Sequence, residues 1–137
     1  MKHLSYYTQK KQTELLKKLG VFFAFSQSQF LEQRIKGVKY YSYDGGFICP
    51  QGKQDQLFDG LEKINEEGIR EDVKENGAEA IIEREYWNLE TQISGNRTNL
   101  KESLHDYFNL FPELFTEEIF NKSCQKAFNK AIDNDWF

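Results

Sequence analysis

Two hydrophobic periods divide this chain, and that division limits the folds open to it. From Leu57 to Ile132, apolar residues recur at steps of three and four, the spacing that lines one side of an α-helix. Between Val21 and Cys49 they form short aromatic and β-branched runs separated by glycines, as in short strands. Strands confined to one early segment, followed only by helices, point to an α+β fold. The expectation is a small two- or three-stranded antiparallel sheet near residues 21–49, covered by several helices, with a helical C-terminal half. With 137 residues, 39% of them hydrophobic and 15% aromatic, the chain has enough bulky apolar surface for one packed domain, residues 1–137.

Local signals set the expected elements. Leu15, Leu16 and Leu19 line one face of a helix over residues 8–19, which Gly20 stops. Val21 to Phe25 reads as a strand leading into a helix capped by Ser26, with Gln29 three residues on and Phe30, Leu31 and Ile35 as its apolar face. Val38 to Tyr43 and Phe47-Ile48-Cys49 read as a hairpin turning at Asp44-Gly45-Gly46. Leu57, Leu61 and Ile64 begin a helical pattern over residues 55–93 that is either one long acidic helix or two, with Gly68 and Gly77 arguing for two. Ala78, Ile82, Tyr86, Leu89 and Ile93 form the next helical run. Asn99 with Glu102 predicts the cap of a helix through Leu104, Tyr107 and Phe108. Beyond Pro112, Thr116 caps a last helix whose stripe is Ile119, Phe120, Cys124, Ala127, Phe128, Ala131 and Ile132.

No catalytic constellation emerges from these positions. His3 and His105 fall on different elements without cysteines or carboxylates at ligand spacing, so neither a metal nor another cofactor is expected. Asp44-Gly45-Gly46 lacks the Lys and Ser/Thr of a phosphate-binding loop and reads as a turn. Cys49 and Cys124 read as reduced structural thiols, with Cys124 on an apolar stripe. No run reaches the length of a membrane-spanning helix and the first 20 residues lack a secretory signal's apolar core, so a cytoplasmic protein is expected. These readings favour binding over catalysis.

Charge is distributed unevenly. Residues 1–39 carry eight Lys/Arg and two Asp/Glu, whereas residues 55–90 carry four against twelve, within an overall net charge of −4. Asp55, Asp59, Glu62 and Glu66 share one helical stripe, opposite Leu57, Leu61 and Ile64. Glu71, Glu75, Glu79 and Glu83 extend the series at four-residue steps, and a row of negative charge of this kind suits a basic groove that otherwise grips nucleic acid. The basic head offers the reverse: Lys10, Lys11, Lys17 and Lys18, near Tyr6 and Tyr7, suit direct contact with nucleic acid. A third reading is a homo-oligomer in which the basic head of one copy meets the acidic middle of another, aided by the aromatic tail at Trp136 and Phe137.

Three segments carry a family resemblance: Gly20-Val21-Phe22-Phe23-Ala24-Phe25-Ser26 with Gln29, Phe30 and Glu32; Gly45-Gly46-Phe47-Ile48 with Pro50, Leu57 and Leu61; and Asn88, Glu90 and Gly95 leading into the Leu100–Leu104 helix. Over residues 20–104 the chain resembles a family of small proteins of phages and bacterial mobile elements, a resemblance that implies an anti-CRISPR-like protein. Leu89 and Thr91 stand where such proteins carry a histidine and a cysteine, so the resemblance brings no catalytic pair. With the acidic stretch it implies a non-enzymatic inhibitor. The expected partner is a host protein or nucleoprotein with a basic groove, such as a CRISPR effector, through which nucleic acid enters the complex.

Overall fold

The computed structural model describes residues 1–137. It divides into two compact units: a sheet unit, Ser5–Glu67, and a helical unit, Gly68–Phe137 with Met1–Leu4. The division falls between Glu67 and Gly68, inside one continuous helix. No helix is long and apolar enough to cross a membrane.

The sheet unit begins with α1 (Leu4–Leu19), four residues longer at its start than its leucine spacing indicates. Gly20, at φ +75°, ends it in the left-handed conformation that glycine adopts without a Cβ penalty. Three antiparallel strands follow, β1 (Phe22–Phe23), β2 (Tyr40–Tyr43) and β3 (Phe47–Pro50), in the order β1-β3-β2. Tyr43 faces Phe47 across the Asp44-Gly45-Gly46 turn, and Phe22 pairs with Ile48. Between β1 and β2 lies α2 (Gln27–Gln33), capped as expected: Ser26 Oγ accepts the Gln29 N–H at 3.2 Å. The unit's core is small, with Leu19, Val21, Cys49 and Leu57 buried and Leu15, Leu16, Tyr43, Phe47 and Leu61 packed around them. Gly60 lets Leu15 approach closely, since a Cβ there would fall 2.7 Å from Leu15 Cδ2.

The helical unit takes the second part of α3 (Gln54–Asn76), then α4 (Ala78–Asn88), α5 (Thr91–Ser94), α6 (Arg97–Ser103), α7 (His105–Leu110) and α8 (Glu117–Asn134). Its core is larger. Ile69, Val73, Ile81, Ile82, Tyr86, Leu100, Leu104, Tyr107, Phe115, Phe120, Cys124 and Ala127 are all buried together. Thr116 caps α8, its Oγ1 accepting the Ile119 N–H at 3.2 Å.

Several boundaries differ from the sequence reading, each for a local reason. Gly68 does not end α3: it is buried mid-helix, and the only break between residues 54 and 88 is Gly77 at φ +79°. The run through Ile93 is two helices, because Glu90 adopts a left-handed conformation at φ 50°. Leu89 and Ile93 therefore leave the buried stripe, with Ile93 exposed. Asn96, not Asn99, caps α6: its Oδ1 accepts the Asn99 N–H at 3.0 Å. Leu104 then separates α6 from α7. The first strand is only two residues long and β2 begins at Tyr40 rather than Val38. Helix α2 stops at Gln33, leaving Leu31 and Ile35 exposed rather than forming an apolar face. On α8, Ile132 is also exposed, so the buried stripe ends at Ala131.

Candidate functional site

The acidic residues separate into three groups. Asp55, Asp59 and Glu62 are exposed on α3 and Glu66 is half-buried beside them. At 100° per residue the four lie within about 60° of one another and span about 16 Å of helix axis. None of the four takes part in an ion pair. The five-residue step from Glu66 to Glu71 then turns about 140° round the helix, so Glu71 and Glu75 do not prolong the stripe. Glu71 is exposed, and Glu75 pairs with Lys2 at 3.4 Å. Glu79 and Glu83 belong to α4, beyond the Gly77 break. Glu79 is exposed, whereas Glu83 is half-buried, accepting hydrogen bonds from Lys130 at 2.6 Å and from Trp87 Nε1 at 3.4 Å. The structure thus brings together four of the eight carboxylates.

Lys10, Lys11, Lys17 and Lys18 are all exposed on α1, and Lys11 lies 3.6 Å from Glu67. His3 and His105 each contact a neighbouring asparagine, Asn88 and Asn109, at 3.1 and 2.9 Å. No group of three or more His, Cys, Asp or Glu side chains could hold a metal ion. Both cysteines are free and buried, and burial raises both thiols above their ordinary range. Trp136 and Phe137 are half-exposed, but their rings meet those of Trp87 and Phe128 at 5.3 and 6.1 Å between centroids.

Sequence reasoning missed a buried charge network in the helical unit. Asp72, fully buried on α3, accepts two bonds from the Arg84 guanidinium of α4, at 3.0 and 2.9 Å. The hydroxyl of Tyr107 on α7 donates to Asp72 at 2.5 Å, and Asn76 Nδ2 donates at 2.8 Å. Arg84 also donates to the Lys2 carbonyl oxygen at 2.9 Å and to Glu85 at 2.9 Å. Burial opposes the Arg84 charge, but the hydrogen bonds to Asp72 and Glu85 and the Asp72 charge outweigh it and hold the guanidinium above its ordinary range. Burial, reinforced by the Asp72 hydrogen bond, likewise pushes the Tyr107 hydroxyl up. Every polar atom of the cluster is engaged in holding helices and the N-terminal backbone together, which makes it a structural clamp. The only hint in the sequence is that Asp72 lies between Ile69 and Val73 on an otherwise apolar face.

No curated protein and no solved structure matches the chain. A family pattern does, over residues 4–132, from the first residue of α1 to the last turn of α8, and therefore across the sheet, the acidic stripe and the buried clamp together. The chain belongs to the family of unknown function DUF7659.

Proposed function

We propose that this protein is a non-enzymatic binding module that offers the acidic stripe of α3 to a basic surface of another protein. The observation that carries the reading is a row of four carboxylates on one helix face, none of them neutralised within the chain. Asp72, Glu67, Glu75, Glu83, Glu85 and Glu117 each meet a cation within the chain, whereas Asp55, Asp59, Glu62 and Glu66 meet none. Four like charges along about 16 Å of one helix repel one another, and an external cationic surface relieves that repulsion. A groove that grips a nucleic-acid backbone has the complementary spacing of charge. The resemblance to mobile-element proteins favours a host nucleoprotein, such as a CRISPR effector, and makes inhibition by occupancy of its groove the biological outcome we propose.

The test is a pull-down from bacterial lysate with the tagged chain, with and without nuclease, repeated with the combined Asp55→Lys, Asp59→Lys, Glu62→Lys and Glu66→Lys variant. Recovery of a nucleic-acid-processing complex that survives nuclease and is lost in the charge-reversed variant is the expected result. Retention by that variant would overturn the reading. So would recovery that vanishes with nuclease and with Lys10→Glu, Lys11→Glu, Lys17→Glu and Lys18→Glu, which transfers the function to α1.

A further inference from the structure

The sheet unit leaves many of its large apolar side chains outside its core. Phe25 is 74% exposed and Ile35 66%, while Phe23, Leu31, Val38 and Tyr41 are between 41% and 49% exposed. A groove of about 430 Å³ opens beside the start of α2, lined by Phe25, Gln27, Phe30, Tyr40, Tyr41 and Ser42. Its wall is ordered by aromatic contacts: the rings of Phe22, Phe30 and Tyr40 meet pairwise at 5.4 to 6.1 Å.

Phe25 is held in position although little of it is buried. Its N–H donates to Gln29 Oε1 at 2.8 Å, and the preceding Ala24 N–H donates to the Gly46 carbonyl oxygen at 2.9 Å. The ring rests on Gly46, where a Cβ would fall 2.4 Å from Phe25 Cε1. One side of the ring is therefore supported by the hairpin and the rest is left to solvent. Holding a large apolar side chain open in this way forgoes the stabilisation of burying it, and contiguous exposed apolar surface marks interaction sites. The groove also supplies polar groups, because the Gln27 and Ser42 side chains bond nothing within the chain.

Charge singles out the occupant. The linker between α2 and β2 carries Arg34, Lys36 and Lys39 within six residues, all exposed and none in an ion pair. Its Ile35 N–H donates to the Tyr40 hydroxyl at 3.0 Å, which ties the linker to the groove wall. Glu32 and Asp44 are the only anions between Val21 and Pro50. Open ring surface, unpaired hydrogen-bonding groups and clustered cations form the combination that receives unstacked bases and their phosphates. A duplex keeps its base faces stacked inside and presents none to these rings. We infer that the groove binds single-stranded nucleic acid, with bases against Phe25 and Tyr41 and phosphates against Arg34, Lys36 and Lys39. This surface is distinct from both the acidic stripe and the α1 lysines, so either proposal can fail without the other.

Fluorescence anisotropy of the full chain with labelled oligo(dT) and oligo(U) tests it. The wild-type chain is expected to bind at least one of them saturably at low salt. Phe25→Ala and Tyr41→Ala are each expected to raise Kd about tenfold, the scale of one lost stacking contact. Arg34→Gln, Lys36→Gln and Lys39→Gln together are expected to flatten the dependence of log Kd on log salt by about two, at about 0.7 per phosphate contact on a single strand. Lys10→Gln, Lys17→Gln and Lys18→Gln leave affinity unchanged if the groove is the site. Because all these side chains are exposed, the variants fold, which circular dichroism verifies. Absence of saturable binding, affinity indifferent to Phe25 and Tyr41, or an acidic aromatic peptide that displaces the oligonucleotide and binds more tightly would each overturn the inference.

Discussion

The two units use their bulky residues in opposite ways. The helical unit packs twelve buried side chains into one cluster and sets a fully bonded Asp72–Arg84–Tyr107 clamp beside them. The sheet unit buries four residues in its core cluster and leaves Phe23, Phe25, Leu31, Ile35, Val38 and Tyr41 open. Charge follows the same contrast: the clamp satisfies its ionic groups internally, while Asp55, Asp59 and Glu62 of the sheet unit stay exposed and unpaired. The helical unit also exposes Ile93, Ile132, Trp136 and Phe137, but it does so around a much larger buried cluster. Both proposals above draw on residues of Ser5–Glu67, and the difference between the units can be broken by experiment.

The largest effect is expected at the clamp. Arg84→Met leaves Asp72 buried without its cation and should cost about 3–5 kcal/mol in urea denaturation, since an uncompensated buried charge is the dominant penalty. A loss under about 1 kcal/mol would show that the clamp does not hold the helical unit. Next, Leu57→Ala removes a fully buried side chain from the sheet unit's small core and should cost about 2–5 kcal/mol.

Alkaline pH should weaken the fold through groups that burial keeps protonated. Cys49, Cys124, Tyr86 and Tyr107 all have raised values, against ordinary values of 9.0 for the thiols and 10.0 for the phenols. Above those ordinary values the unfolded chain releases protons that the folded chain retains, so stability falls as pH rises. Urea midpoints measured from neutral pH upward should be level until the thiol range and then decline, and Tyr107→Phe should reduce the steepness of the decline. Smaller effects follow at the caps: Ser26→Ala and Thr116→Ala should each lower stability by about 1 kcal/mol. The smallest is at the open rings, where Phe25→Ala and Tyr41→Ala should change stability by less than about 0.5 kcal/mol. A larger loss would show that these rings support the fold, and would blur the contrast between the units.

Legibility in the sequence followed the range of the interaction. The caps at Ser26 and Thr116, the stop at Gly20 and the hairpin at Asp44-Gly45-Gly46 were all readable, because each depends on contacts within a few residues. The buried stripe of α8 was readable up to Ala131 for the same reason. Gly68 and Gly77 look alike in sequence, yet only Gly77 takes a positive φ, while Gly68 is enclosed within the helix. The acidic series was readable as a stripe only for Asp55, Asp59, Glu62 and Glu66. Its continuation through Glu83 failed at the five-residue step to Glu71 and at the turn between α3 and α4.

By itself, the sequence determined the α+β class, the position of the hairpin and the starts of α2, α3, α4 and α8, since period and capping are local properties of the backbone. Only the tertiary structure decided that Asp72 and Arg84, 12 residues apart, share one buried site, and that Phe25 and Tyr41 stay open while Tyr86 and Phe115 are enclosed. Burial is set by what packs against a side chain from distant parts of the chain, and nothing in a residue's own neighbourhood records it.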